Sequence, residues 1–63
     1  MNAGMTRKQF AEQEFFERLQ EYRNAKSPRE LIVASVRLHA ASGAVPKRYQ
    51  RFVRAAYQER KEG

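Results

Sequence analysis

Ser35 and His39 are the two residues whose types and spacing could support covalent chemistry. They stand one helical turn apart, so a hydroxyl and an imidazole share a face. An activated nucleophile needs a base within reach and a third group to orient that base. The chain has no Asp and no Cys, His39 is its one histidine, and its seven acids are all Glu. None of these carboxylates is spaced to orient His39. Of the other serines, Ser27 is committed to helix capping, so a nucleophile would have to be Ser35 or Ser42. One His among scattered glutamates makes no metal-ligand set. Glycine occurs only at positions 4, 43 and 63, so there is no glycine-rich phosphate loop. The expectation is a protein that is not an enzyme, with no catalytic residues, metal, cofactor or small-molecule substrate.

The other chemistry on offer is electrostatic. Lys47, Arg51, Arg54, Gln58 and Lys61 recur at helical spacing with Arg48 beside them, opposite an apolar stripe of Tyr49, Phe52, Val53 and Ala56. A face that served solubility alone would mix both signs of charge. Here the nearby acids are Glu59 and Glu62, late in the helix. The whole chain carries a formal charge of +6, with an isoelectric point near 10.3. The excess is uneven. Residues 1–26 hold five bases against four acids, and residues 27–63 hold eight against three. Such a distribution favours a polyanion as partner.

The elements that position these residues are three helices within one domain over residues 6–63, after a flexible lead-in over residues 1–5. The first is expected over about 6–25. Thr6-Arg7-Lys8-Gln9 has the form of a capping box, and Ala11, Phe15, Leu19 and Tyr22 share a face widened by Phe16. Phe10 falls off that face, either folded over the helix start or exposed. The second helix is expected over about 28–42. Ser27-Pro28-Arg29-Glu30 places Ser at the N-cap, Pro at the first helical position and Glu where it completes the box. Gly43 suits a left-handed cap at its end. This helix is apolar on nearly every side, which calls for cover on nearly every side. That places it in the middle, with a second copy or a partner on what remains. The third helix is expected over about 46–61, packing through Val45, Tyr49, Phe52, Val53 and Ala56. Tyr57 sits at the stripe's edge, its exposure undecided. Val45 is a poor N-cap, so open backbone N–H groups beside Lys47 and Arg48 would suit a phosphate.

The fold class expected is a small all-α three-helix bundle or open helical array. Leu38–Phe52 also resembles a helix-turn-helix in arrangement: a helix, Gly43, then a basic helix with apolar Ala44, Tyr49 and Phe52. In that motif the second helix enters the groove. His39 departs from the small residue usual four places before the glycine, and Pro46 stiffens the turn.

These features predict a small basic nucleic-acid-binding protein, on DNA or RNA. Lys47, Arg48, Arg51, Arg54, Gln58 and Lys61 would contact the phosphate backbone. The alternative is a regulator or inhibitor that docks on an acidic or apolar protein surface, or pairs as a homodimer, through Phe10, Phe16, Ile32 and Val36. No apolar stretch approaches the roughly 18 residues a membrane span needs. The third helix's apolar face is wanted for the core, so no membrane partner and a cytoplasmic location are expected.

Overall fold

The computed structural model describes Gly4 and residues 6–62. The expected flexible lead-in lies outside the described residues except at Gly4. Helix α1 spans Arg7–Asn24 and α2 spans Pro28–Ser42. A 3₁₀ turn over Lys47–Tyr49 runs directly into α3, Gln50–Glu62. Among the described residues there is no strand, and the architecture is a small all-α array.

Local chemistry sets the helix starts. Thr6 Oγ1 accepts from the Gln9 amide at 3.1 Å, and the Thr6 amide donates back to Gln9 Oε1 at 3.0 Å. This closed capping box satisfies two donors that a helix start otherwise leaves open. At α2, Ser27 Oγ accepts from the Glu30 amide at 3.1 Å, with Pro28 in the first turn. The Glu30 carboxylate reaches one residue further back than a closed box requires and accepts from the Lys26 amide at 2.9 Å.

Two expectations about helix ends are corrected. Gly43 caps α2 at φ −72°, in the right-handed region. Its amide turns back to the carbonyls of Ala40 and Ala41, so no left-handed residue is needed. The third helix does not start as a regular α-helix at Pro46. Pro46 provides no side-chain cap, and the first turn tightens so that the Tyr49 amide donates to the Pro46 carbonyl at 3.0 Å. Bonds of the i→i+3 kind are how an uncapped start satisfies its own donors.

The tertiary arrangement overturns the expected order of packing. The middle helix is α1, not α2. It packs against α2 and against the third segment, while α2 and α3 scarcely touch. The paired packed helices of a helix-turn-helix are therefore not formed here. Short loops bring joined ends together without requiring that consecutive helices pack along their lengths. Asn24 and Ala25 at the end of α1 share a cleft with Arg29 and Glu30, and Glu14 and Arg18 share one with Ala41 and Ala44. Thus α2 returns antiparallel to α1. Tyr49 meets Glu12, and Arg60 meets Tyr22 and Arg23, so α3 runs parallel to α1.

The core consists of Phe15, Leu19 and Tyr22 from α1, Ala34 and Leu38 from α2, and Val53 and Ala56 from α3. Phe15 and Leu38 are fully enclosed. The expected cover over α2 is absent on one side: Ile32 and Val36 are each 65% exposed and Val33 is 46% exposed. Packing against α1 buries the strip that carries Ala34 and Leu38. Among the described residues no second helix reaches the opposite strip.

Parallel α1 and α3 bring two helix C-termini, both with partial negative charge, to the same end. Arg60 Nη1 donates to the Tyr22 carbonyl at 3.1 Å and to the Arg23 carbonyl at 3.3 Å. Its guanidinium also lies 5.5 Å from the Tyr22 ring centroid. A fixed cation at this end offsets the dipoles and satisfies terminal carbonyls of α1.

A core this small supplies only about 3–5 kcal/mol, and truncating a buried Phe costs about 3–5 kcal/mol. Phe15→Ala is therefore expected to unfold the chain. Ile32→Ala and Val36→Ala are expected to shift stability by no more than about 0.5 kcal/mol. Urea denaturation followed by circular dichroism checks both. A loss above about 1 kcal/mol at Ile32 or Val36 would mean that the outer strip of α2 is covered in solution.

Candidate functional site

The cationic strip forms as a surface feature. Lys47 and Arg48 lie on the 3₁₀ turn, and Arg51, Arg54, Gln58 and Lys61 follow on α3; all six side chains are exposed. Val53 and Ala56 on the same helix face inward and are buried. Helical periodicity thus separates the apolar and cationic faces as expected.

Where the glutamates go decides how bare that strip is. Glu12 accepts from the Tyr49 hydroxyl at 2.7 Å. Glu14 pairs with Arg18 at 3.6 Å, and Glu21 with Arg18 at 2.7 Å and Arg37 at 3.9 Å. Glu17 accepts from Gln13, Glu30 from the Lys26 amide, and Glu62 from Gln58. Glu59 turns away from the strip to Arg23 at 3.4 Å. Every carboxylate side chain has an intramolecular partner. Among the described residues, Lys47, Arg48, Arg51, Arg54 and Lys61 have no ion-pair partner. Exposed pairs of this kind add little stability. Their consequence is the segregation of charge.

Gln58 is the weakest member of the expected set. Its Nε2 donates to Glu62 at 2.9 Å, which ties up the amide and brings a carboxylate to that end of the strip. The uninterrupted cationic stretch is Lys47 through Arg54. The expected phosphate seat at the start of the third helix is reduced, since the Tyr49 amide already bonds to Pro46. Ser42 does not reach across to it; its hydroxyl donates to the His39 carbonyl at 2.8 Å.

The expected partner-contact residues do not form one surface. Phe10, 59% exposed, stands apart. Ile32 and Val36 belong to the uncovered strip of α2. Phe16 instead joins the cationic strip. Its ring lies 5.2 Å from Phe15, 5.9 Å from Tyr49 and 5.6 Å from Phe52. Together with Arg48, Tyr49, Arg51 and Phe52 it lines an open cleft of about 360 Å³. Two further clefts mix both signs of charge, Glu21 and Glu30 with Arg29 in one and Glu14 with Arg18 and Arg37 in the other.

Phe52 was expected in the core, yet it is 38% exposed beside Phe16, which is 43% exposed. Its position at the edge of the apolar stripe, next to Arg51, was the available signal. Tyr57, left open by its spacing, is also exposed and sets its ring edge-on to Tyr22 at 5.2 Å. Ser35 does not engage His39: its Oγ donates to the Leu31 carbonyl at 2.7 Å, within its own helix.

Tyr49 ties the cleft to α1. Its hydroxyl pKa is raised by the hydrogen bond to Glu12 first, then by burial and by the Glu12 charge, with Arg48 acting in the opposite sense. Tyr22 is also raised, by burial first and then by Tyr57, with Arg60 opposing. Unfolded tyrosines ionise near pH 10. As pH rises past that point the unfolded chain loses these protons while the folded chain retains them. The tyrosine contribution to stability is therefore complete below about pH 10 and is lost as pH climbs through the folded values. Glu12→Gln is expected to lower the Tyr49 titration in tyrosinate absorbance while leaving Tyr22 in place. An unchanged titration would show that the Tyr49–Glu12 bond is not formed in solution.

No protein-family model, curated protein or solved structure matches this chain, so its functional reading rests on this geometry.

Proposed function

We propose that this chain is a nucleic-acid-binding protein that lays the cationic face of its third segment along a phosphate backbone. Lys47, Arg48, Arg51 and Arg54 make the main contacts and Lys61 extends them. The observation that carries the reading is the segregation of charge. Each glutamate is engaged within the molecule, while these five cations are exposed and have no carboxylate partner among the described residues. A polyanion gains on such a face because each phosphate contact releases condensed counterions. Arginine, which predominates here, presents a planar fork that matches phosphate oxygens. These contacts position a nucleic acid and carry no base sequence by themselves.

A second reading has its own observation. The outer strip of α2 exposes Ile32, Val33 and Val36, the kind of apolar patch on which a protein partner or a second copy docks. In that case the cationic face of α3 would aid approach and the apolar strip would supply the affinity. Among the described residues no helix is long and apolar enough to cross a membrane.

Fluorescence anisotropy with a labelled oligonucleotide across a salt series distinguishes the two readings. Four to five phosphate contacts predict a log–log slope of about −3 to −4. The double variant Arg51→Glu/Arg54→Glu is expected to lose most of the affinity with its helical circular dichroism intact. Absence of binding at low salt would defeat the nucleic-acid reading. Retention of a protein partner by that double variant, with loss of it in Ile32→Ala/Val36→Ala, would establish the second.

A further inference from the structure

The cleft lined by Phe16, Arg48, Tyr49, Arg51 and Phe52 is more than a neighbour of the cationic strip. We infer that it is a stacking site for an unpaired base, so that the nucleic acid this protein binds is single-stranded. The inference rests on the phosphate-binding reading and adds the strand's form to it.

Three observations carry it. First, the cleft brings together exposed aromatic rings from two helices, Phe16 of α1 and Phe52 of α3, both more than one-third exposed. The two rings adjoin each other at 5.6 Å on a charged surface, so their exposure forms one patch rather than scattered single residues. Second, the rings are held in place. Phe16 packs against Phe15, Tyr49 and Phe52 at centroid distances of 5.2–5.9 Å. The Tyr49 hydroxyl is bonded to Glu12, and the Phe15 ring beneath them is fully buried. Little side-chain entropy remains to be lost when a flat ligand arrives. Third, the charged side chains of the lining are arginines alone. Arg48 already lies over the Tyr49 ring at 5.2 Å, and Arg51 leads into the exposed strip toward Arg54. Aromatic faces flanked by a line of cations are what an unpaired base with its adjoining phosphates requires.

A duplex does not suit the cleft. Its base faces are covered by their neighbours, and its grooves present only base edges. An acidic protein segment would satisfy the arginines and leave the flat ring faces without a matching flat partner. Base stacking on aromatic side chains tolerates all four bases, so weak sequence preference is expected.

The test uses the full chain and three probes of equal label, a single-stranded oligodeoxynucleotide, the same length of abasic strand and the corresponding duplex, with an unlabelled mononucleotide as competitor. The intact single strand is expected to bind on the order of 10-fold tighter than the abasic strand and the duplex. Phe52→Leu and Phe16→Leu, which preserve apolar bulk while removing the flat ring, are expected to reduce its affinity to the abasic level without changing the salt slope. The mononucleotide, lacking neighbouring phosphates, is expected not to compete at micromolar concentration. Equal binding of intact strand, abasic strand and duplex would overturn the stacking site and leave phosphate binding standing. Unchanged affinity in both Leu variants would do the same. Competition by micromolar mononucleotide would overturn the assignment to a strand. Failure of all three polymers to bind at low salt would overturn the phosphate reading, and the stacking site with it.

Discussion

Phe15 has no exposed surface, and its burial depends on α1 serving two neighbours at once. The ring belongs to the cluster that contains Leu38 of α2, and it also stands edge-on to Tyr49 at 5.6 Å. A chain of 63 residues buries a smaller share of its surface than a larger domain does, and with no cysteine it has no covalent staple. The apolar contacts made along one side of α1 therefore hold both other helices in place. Remove them, and α2 and α3, which scarcely touch each other, have nothing in common to pack against.

The central position of α1 also sorts the charge. Four of the seven glutamates lie on α1, and three of these meet partners on α1 itself or on α2, at Gln13, Arg18 and Arg37. The fourth, Glu12, meets Tyr49. On the other flank, Arg60 and the Arg23–Glu59 pair fasten the far end of α3 to the end of α1. These contacts use the charges closest to the α1–α3 seam and leave the outward cations of the third segment in solvent. Individually the ion pairs are weak. Collectively they determine where an anion is attracted.

The same seam explains why aromatic rings surface beside those cations. Parallel packing of α3 on α1 closes well at Val53 and Ala56, which are small enough to approach α1 closely and are buried. Near the start of α3, where the 3₁₀ turn departs from regular helix, larger rings meet: Phe15, Phe16, Tyr49 and Phe52. Phe15 is enclosed, and Phe16 and Phe52 remain partly outside.

The starts of α1 and α2 were legible because the groups that make them, Thr6 with Gln9 and Ser27 with Glu30, lie within one turn of each other. Such bonds form whatever the rest of the chain does. The cationic face of α3 was legible for a similar reason: helical periodicity decides which residues share a face. What no single helix contains is the identity of its neighbour. The all-round apolar character of α2 suggested a central place, yet its Ile32 and Val36 stand in solvent. Phe52, counted among core residues by its spacing, lies at the edge of a cleft because Phe16 of another helix is set beside it. The sequence by itself determined the three helices, the side-chain caps that start the first two and the sign of each face, since those depend on contacts a few residues apart. Only the tertiary structure decided that α1 lies in the middle and that Phe16 and Phe52 meet among arginines, because that depends on which apolar faces find each other when a small core closes.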